Sequence, residues 1–382
     1  MKEGNIAING GRTMFRQRHV LERMLATAGI TINGNSPWDL HVRDDRIFLR
    51  LLQNKSLGLG ESYMEGWWDC PQLDEFICRI LKAGLDAKIK GGQLLRLKNL
   101  QALIFNLQSR LRSRMVAKQH YNLDNELFTL MLDPYVQYSC AYFDKTDDLN
   151  HAQLRKLDLL CRKLNISSDD NVLDIGCGWG GLAKYIAEHY NCRVTAINIA
   201  KEQISYALNL CKNLPVEIKH VDYRDLTGSY DKIVSVGMFE HVGPKNYKTF
   251  MKAVHNCLKN DGVFLLQTIG SNETEVACDP WFHKYIFPNG KLPSIAQIGN
   301  AIEGLFVMED WHNLGEHYEK TVLAWHKNLN KAWFQLKNKY DEKFRRMFEY
   351  YLLSCAGSFR ARQMQLWQIV FTKYGAQQPV CR

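Results

Sequence analysis

A chain of 382 residues with 46% hydrophobic and 23% charged side chains can bury more than one core, so two or three domains are expected. No apolar run reaches membrane-spanning length, and the first eighteen residues are charged and lack the apolar stretch of a secretion signal, which predicts a cytoplasmic protein. The eleven cysteines follow no C-x-x-C spacing, which argues against a disulfide framework and a structural zinc, so no metal site is expected. They are expected to be reduced, mostly as small buried hydrophobes. The net charge of +9 is moderate but unevenly spread.

Up to about Gln119 the chain reads as short helices between glycine-bearing turns, Leu73 to Leu85 the clearest, with no convincing strand alternation. The basic residues Lys88, Lys90, Arg96, Lys98, Arg110, Arg112, Arg114 and Lys118 fall between Ala87 and Leu123 without an acid among them. Leu100, Leu103, Ile104, Leu107, Leu111 and Met115 recur there at helical spacing. A basic amphipathic helix suits an anionic membrane surface, where each cation adds about 1 kcal/mol. An ordinary packing helix with a solvated basic face fits as well, and nucleic acid is a third option.

From Asn171 onward the period alternates. Strands are predicted at Val172–Ile175, Arg193–Asn198, Val216–Val221, Lys232–Val236 and Gly262–Ile269. Helices Leu182–His189, Lys201–Lys212 and Tyr247–Leu258 fall among them. Two closing strands, Phe306–Trp311 and Leu366–Phe371, flank long helices at Glu316–Tyr340 and Glu342–Ser354. This βαβ series predicts a doubly wound, mainly parallel sheet of seven strands. It implies a helical domain over 1–119, with the basic linker, and an α/β domain over 120–382.

The first strand ends in Asp174-Ile175-Gly176-Cys177-Gly178-Trp179-Gly180-Gly181. Glycines there permit positive φ and close approach of a ligand, and the next helix offers unsatisfied N–H groups. The glycines alone fit a dinucleotide as well as S-adenosylmethionine. A dinucleotide site wants an acid at the end of the second strand, where this chain has Asn198. Asp174, two residues before the first glycine, favours S-adenosylmethionine, because the D-x-G-x-G-x-G run resembles the first motif of class I methyltransferases. Asp222, at the third strand's end, could accept from an adenine amino group or could cap a turn. Glu240, in Met238-Phe239-Glu240-His241 after the fourth strand, is flanked by apolar residues and is expected to face a cleft.

Further motifs identify a family. Leu57-Gly58-Leu59-Gly60-Glu61, Tyr138-Ser139-Cys140-Ala141-Tyr142-Phe143, the glycine run, Ser235 to Gly243, Phe287-Pro288-Asn289-Gly290 and Glu309-Asp310-Trp311-His312 together resemble cyclopropane-fatty-acyl-phospholipid synthases, in order and over nearly the whole chain. The resemblance implies a class I methyltransferase, Rossmann-like sheet with a smaller helical N-terminal domain. It implies transfer of a methylene from S-adenosylmethionine to the cis double bond of a phospholipid acyl chain. The methyl adds to the alkene, and a bound bicarbonate takes a proton from that methyl so that the ring closes. Cofactor contacts are implied at Tyr138, Ser139, Asp174, Gly176, Gly178, Gly180, Asn198, Gln203, Asp222, Tyr223 and Arg224. The bicarbonate cradle would use Cys140, Glu240, the backbone at Ile269, and Tyr318.

The family's remaining ligand is a histidine where this chain has Gln267, which can donate a hydrogen bond but cannot take a proton. The same resemblance implies a homodimer attached peripherally to the inner face of the cell membrane, with unsaturated phospholipids and an anionic surface as partners and no nucleic acid. A methylene-branched product, a non-catalytic S-adenosylmethionine-binding membrane protein and a nicotinamide oxidoreductase are the competing readings.

Overall fold

The central strands carry buried apolar runs, Val172-Leu173, Ile233-Val234 and Val263 to Leu266 among them, as strands covered on both faces must. In the computed structural model, which describes residues 17–86, 125–274 and 278–381, seven of them form one sheet. They are β1 (Asn171–Ile175), β2 (Arg193–Asn198), β3 (Val216–His220), β4 (Tyr230–Val236), β5 (Leu258–Ser271), β6 (Val307–Asn313) and β7 (Met364–Thr372). Their order is β3-β2-β1-β4-β5-β7-β6. The first five are parallel, and β7 runs antiparallel to both of its neighbours.

Because side chains alternate along a strand, each strand feeds two cores. Leu173 and Ile175 of β1 join Phe264 and Leu266 of β5 on one face, beneath α4 (Tyr247–Cys257) and α5 (Ile295–Ile302). Val172, Val194, Val234 and Leu265 point the other way, toward α1 (Leu149–Leu164) and α2 (Gly181–Tyr190). The expected strands and the helices between them are present with ends shifted by a few residues; α3 spans Lys201–Leu210 and α6 spans Gly315–Leu336. Helix α1 is an addition to the sequence reading. Asp148 caps it, accepting from the His151 N–H at 2.9 Å, and Asn165 closes it in the left-handed conformation.

Packing divides the chain into two units, and neither is one stretch of sequence. The sheet unit comprises the described parts of Ala102–Cys278, Phe287–Ala332 and Met364–Arg382. The other joins the described part of Met1–Gln101 to Asp279–Ile286 and Trp333–Gln363, two stretches that a cut at 119/120 assigns to the α/β domain. It is helical apart from a two-residue antiparallel ribbon, His41–Val42 with Trp68–Asp69, which the sequence did not announce. Helix Glu342–Arg360 packs on helices Leu73–Lys82 and Arg46–Met64.

Glycines allow the close approaches in this helical unit: a Cβ on Gly60 would lie 2.4 Å from the Trp281 ring, and one on Gly357 would lie 2.4 Å from the Asp74 carbonyl. Buried Glu61 accepts from Arg50, Lys284 and Tyr285, and Arg346 donates to the Trp68 carbonyl at 2.8 Å. Phe239 stacks on Tyr247 in the sheet unit, and Trp281 packs against Tyr350 in the helical unit. Among the described residues no helix is long and apolar enough to cross a membrane.

Candidate active site

Strand order reverses between β1 and β4, and at such a switch point the loops leaving the strand ends diverge and open a crevice. A cleft lies there in the sheet unit, lined by the β1 turn, the ends of β2 and β4, the loop after β3 and the extended segment Val136 to Ser139. Tyr138, Ser139, Asp174, Gly176, Gly178, Asn198, Gln203, Asp222, Tyr223 and Arg224 all line it. The sequence pattern therefore brings its predicted cofactor residues together, with one correction. Gly180 does not line the cleft: it caps α2 with φ of +85°, and a Cβ there would lie 2.9 Å from that of Ala207. Its lack of a side chain serves helix packing.

The glycine turn is shaped for a ligand. Gly176 has φ of +86°, donates to the Ile197 carbonyl at 2.9 Å, and would put a Cβ 2.7 Å from Met238. Gly178 has φ of +55°, and a Cβ built on it meets no atom within 4 Å. That empty space belongs to the cleft. Asn198 is mostly committed elsewhere: its Oδ1 accepts from the N–H groups of Ile199 and Ala200, and its Nδ2 donates to the Gly178 carbonyl and to Gln203 Oε1. This arrangement ties the turn to the second strand and leaves the Gln203 amide nitrogen for a ligand hydroxyl. Asp222 accepts from both the backbone and the guanidinium of Arg224, and that guanidinium lies 4.6 Å over the Tyr223 ring.

Asp174 is 2% exposed, and its Oδ2 has no hydrogen-bond partner. Burial raises its carboxyl to about 7, and the field of Lys156 opposes the rise. An orphaned acceptor at the mouth of a glycine cradle suits an ammonium donor, and S-adenosylmethionine carries one on its aminoacyl arm. The residues present therefore fit that group.

None of the five predicted anion ligands is among the residues that line the cleft, and they fall into two groups. Glu240 Oε1 accepts from the Ile269 N–H at 2.7 Å, and burial raises the Glu240 carboxyl to about 7. Gln267 sits on the same strand two residues earlier, opposite Gln368 of β7, whose Nε2 donates to Gln267 Oε1 at 2.9 Å. Cys140 lies in the other group, its Sγ 3.9 Å from the Leu314 carbonyl at the start of α6, which carries Tyr318. Trp179, Met238, His241 and Asn289 also line the cleft, and the sequence reading gave them no role. Only their positions beside recognised motifs could have signalled them.

This fold, with the cleft at its switch point, defines a class I methyltransferase that uses S-adenosylmethionine as methyl donor. Comparison with known proteins narrows it. The family model for mycolic acid cyclopropane synthetase matches residues 108–369. The cyclopropane-fatty-acyl-phospholipid synthase of Escherichia coli K12 is 51% identical over 354 residues, 93% of each chain. A solved mycolic acid cyclopropane synthase, complexed with S-adenosylhomocysteine and CTAB, is 31% identical, with a TM-score of 0.63 over 68% of this chain and 98% of its own. Coclaurine N-methyltransferase, bound to N-methylheliamine and S-adenosylhomocysteine, is 26% identical, with a TM-score of 0.67 over 82% of this chain and 99% of its own. The chain belongs to the cyclopropane synthase family and is an enzyme.

Two outcomes are expected. Gly178→Val fills the open space above the turn and abolishes S-adenosylhomocysteine binding measured by calorimetry, while the circular dichroism spectrum stays that of the parent. Asp174→Asn separates binding from stability. A carboxyl raised in the fold costs stability once it ionises, so the cofactor-free variant melts above the parent at pH above 7. That gap closes as pH falls toward the ordinary aspartate value of 3.8, and cofactor affinity drops throughout. A variant that melts below the parent at high pH would contradict this account of Asp174.

Proposed function

We propose that this enzyme converts the cis double bond of unsaturated acyl chains in membrane phospholipids into a cyclopropane ring, with bicarbonate as the base. The observation that carries this reading is a pair of buried polar atoms. Glu240 Oε2 and Gln267 Nε2 have no hydrogen-bond partner, on residues 8% and 1% exposed. One accepts and the other donates. Bicarbonate offers an O–H to the first and an anionic oxygen to the second, so an ion between them would satisfy groups that are otherwise costly to bury.

When bound, S-adenosylmethionine supplies a sulfonium methyl to the alkene, and bicarbonate supplies the base that takes a proton from that methyl. The chain's own residues hold and orient. The Ile269 N–H fixes Glu240, whose second oxygen would accept a hydrogen bond from the ion. Burial raises the Cys140 thiol far above its usual range, so it stays protonated and serves as an S–H donor, never as a nucleophile. Gln267 keeps the donor that the family's histidine provides and gives up proton acceptance. Tyr138 packs 5.1 Å from Trp325, which meets Tyr318 at 6.0 Å, and this aromatic wall keeps water from the reacting carbons.

Phospholipid as substrate is supported by the extent of the Escherichia coli match, which takes in the N-terminal segment that the mycolic acid synthases do not cover. The basic run Ala87–Leu123 lies outside the described residues. We assign it to an anionic bilayer surface at the inner face of the cell membrane, with the enzyme acting as a homodimer.

Incubating the protein with monounsaturated phospholipid vesicles and methyl-labelled S-adenosylmethionine tests the reaction. Mass analysis is expected to show acyl chains that gain one CH₂ and lose the double bond. Gain of CH₂ with the double bond retained would replace cyclopropanation with methylene branching. In the same assay, Glu240→Gln is expected to lower turnover by about a hundredfold with a melting temperature no lower than the parent's. Bicarbonate added to carbonate-depleted buffer is expected to raise the parent's rate. A flat response would mean that another base serves.

A further inference from the structure

Residues 133–143 carry Tyr138, Ser139 and Cys140 yet belong to no strand or helix of the fold. Side chains hold this strap in place. The Asp133 carboxylate accepts from the N–H groups of Tyr135 at 2.9 Å and Gln137 at 2.8 Å, around a turn where Val136 has φ of +50°. From α6, Thr321 Oγ1 accepts from the Ala141 N–H and His317 Nδ1 from the Phe143 N–H, each at 3.0 Å. From α1, Gln153 Nε2 donates to the Ser139 carbonyl at 2.9 Å. The Lys156 ammonium, on the same helix, donates to Gln137 Oε1 and to Ser139 Oγ at 3.2 Å.

Lys156 is 0% exposed. Burial lowers it to about 8, against the attraction of Asp133 and Asp174, so it remains a cation at neutral pH. Such a charge costs stability, and an apolar side chain of the same length would usually cost less. Lys163, equally buried on the same helix, shows the contrast: it forms an ion pair with Asp310 at 3.0 Å. Lys156 spends its hydrogen bonds on an amide oxygen and a hydroxyl, both belonging to residues that line the cleft.

We propose that Lys156 is a positioning residue for the methyl donor: it fixes Gln137 and Ser139 from behind, so that the strap meets the ligand already in its bound shape. The role rests on the reading of the cleft as the S-adenosylmethionine site. Lys156 itself does not line the cleft and touches no reacting atom. It lowers the ordering cost of binding, because a strap without strand partners would otherwise lose its freedom when the ligand arrives.

The test is Lys156→Met in the full chain, which keeps the length and removes the charge and the donors. S-adenosylhomocysteine affinity by calorimetry is expected to weaken about tenfold. The KM for S-adenosylmethionine on phospholipid vesicles is expected to rise by a similar factor, with kcat changed much less. The cofactor-free melting temperature is expected to stay level or rise. Lys156→Gln, which restores a donor, is expected to recover part of the affinity. Affinity within twofold of the parent overturns the proposal, as does a methionine variant that fails to fold, because the lysine is then structural. If the parent itself does not bind S-adenosylhomocysteine, the reading of the cleft falls first.

Discussion

Both faces of the sheet are packed, and this constraint places everything polar in the catalytic unit. Phe264 and Leu266 look into one core while Val263 and Leu265 look into the other, so no side chain in the middle of β5 can serve chemistry. Polar work falls to the strand ends. There Gly176, Asn198, Asp222 and Met238 arrive from four different strands at one crevice because parallel strands end on the same side. Gln267, at the point where β5 leaves the packed core, is the transition: 1% exposed, polar, and aligned with Gln368 across the ladder.

In and around that crevice the fold tolerates ionisable groups that it does not stabilise. Asp174 and Glu240 are both raised to about 7 by burial, and each keeps one oxygen without a partner. Lys156 is shifted in the opposite sense by the same cause. A sequence optimised for stability would replace all three with apolar or neutral groups. Their joint presence says that the empty protein is less stable than its backbone would permit, and that ligands recover part of the difference by mass action.

Much of the sheet was legible because each central strand is an apolar run bounded by a turn, and the β2 limits, Arg193 to Asn198, were read directly from it. The glycine turn that lines the cleft was legible because glycine at Gly176 and Gly178 has a backbone reason to be there. Gly180 was misassigned because positive φ looks the same in sequence whether it serves a ligand or a helix contact. Helix α1 escaped because its buried face carries Gln153, Lys156 and Lys163 among the leucines, which blurs the apolar period. The strap escaped for a different reason: an extended segment held by side chains from two helices has no period at all. Residues such as His241 and Asn289 line the cleft only through long-range packing, which no local pattern encodes.

The make-up of the helical unit bears on how the chain is made. Trp68 and Phe76 belong to the early segment, whereas Arg346, which holds the Trp68 carbonyl, and Gly357, which lets the backbone of Asp74 come close, lie almost three hundred residues later. A ribosome releasing the chain from its N-terminus exposes this apolar surface long before its partner exists. The unit that is begun first therefore stays open until almost the whole chain has been made. During that interval Trp68 and Phe76 must be sheltered by chaperones or by non-native contacts, so synthesis rate and chaperone supply govern the yield of active enzyme independently of the stability of the finished fold.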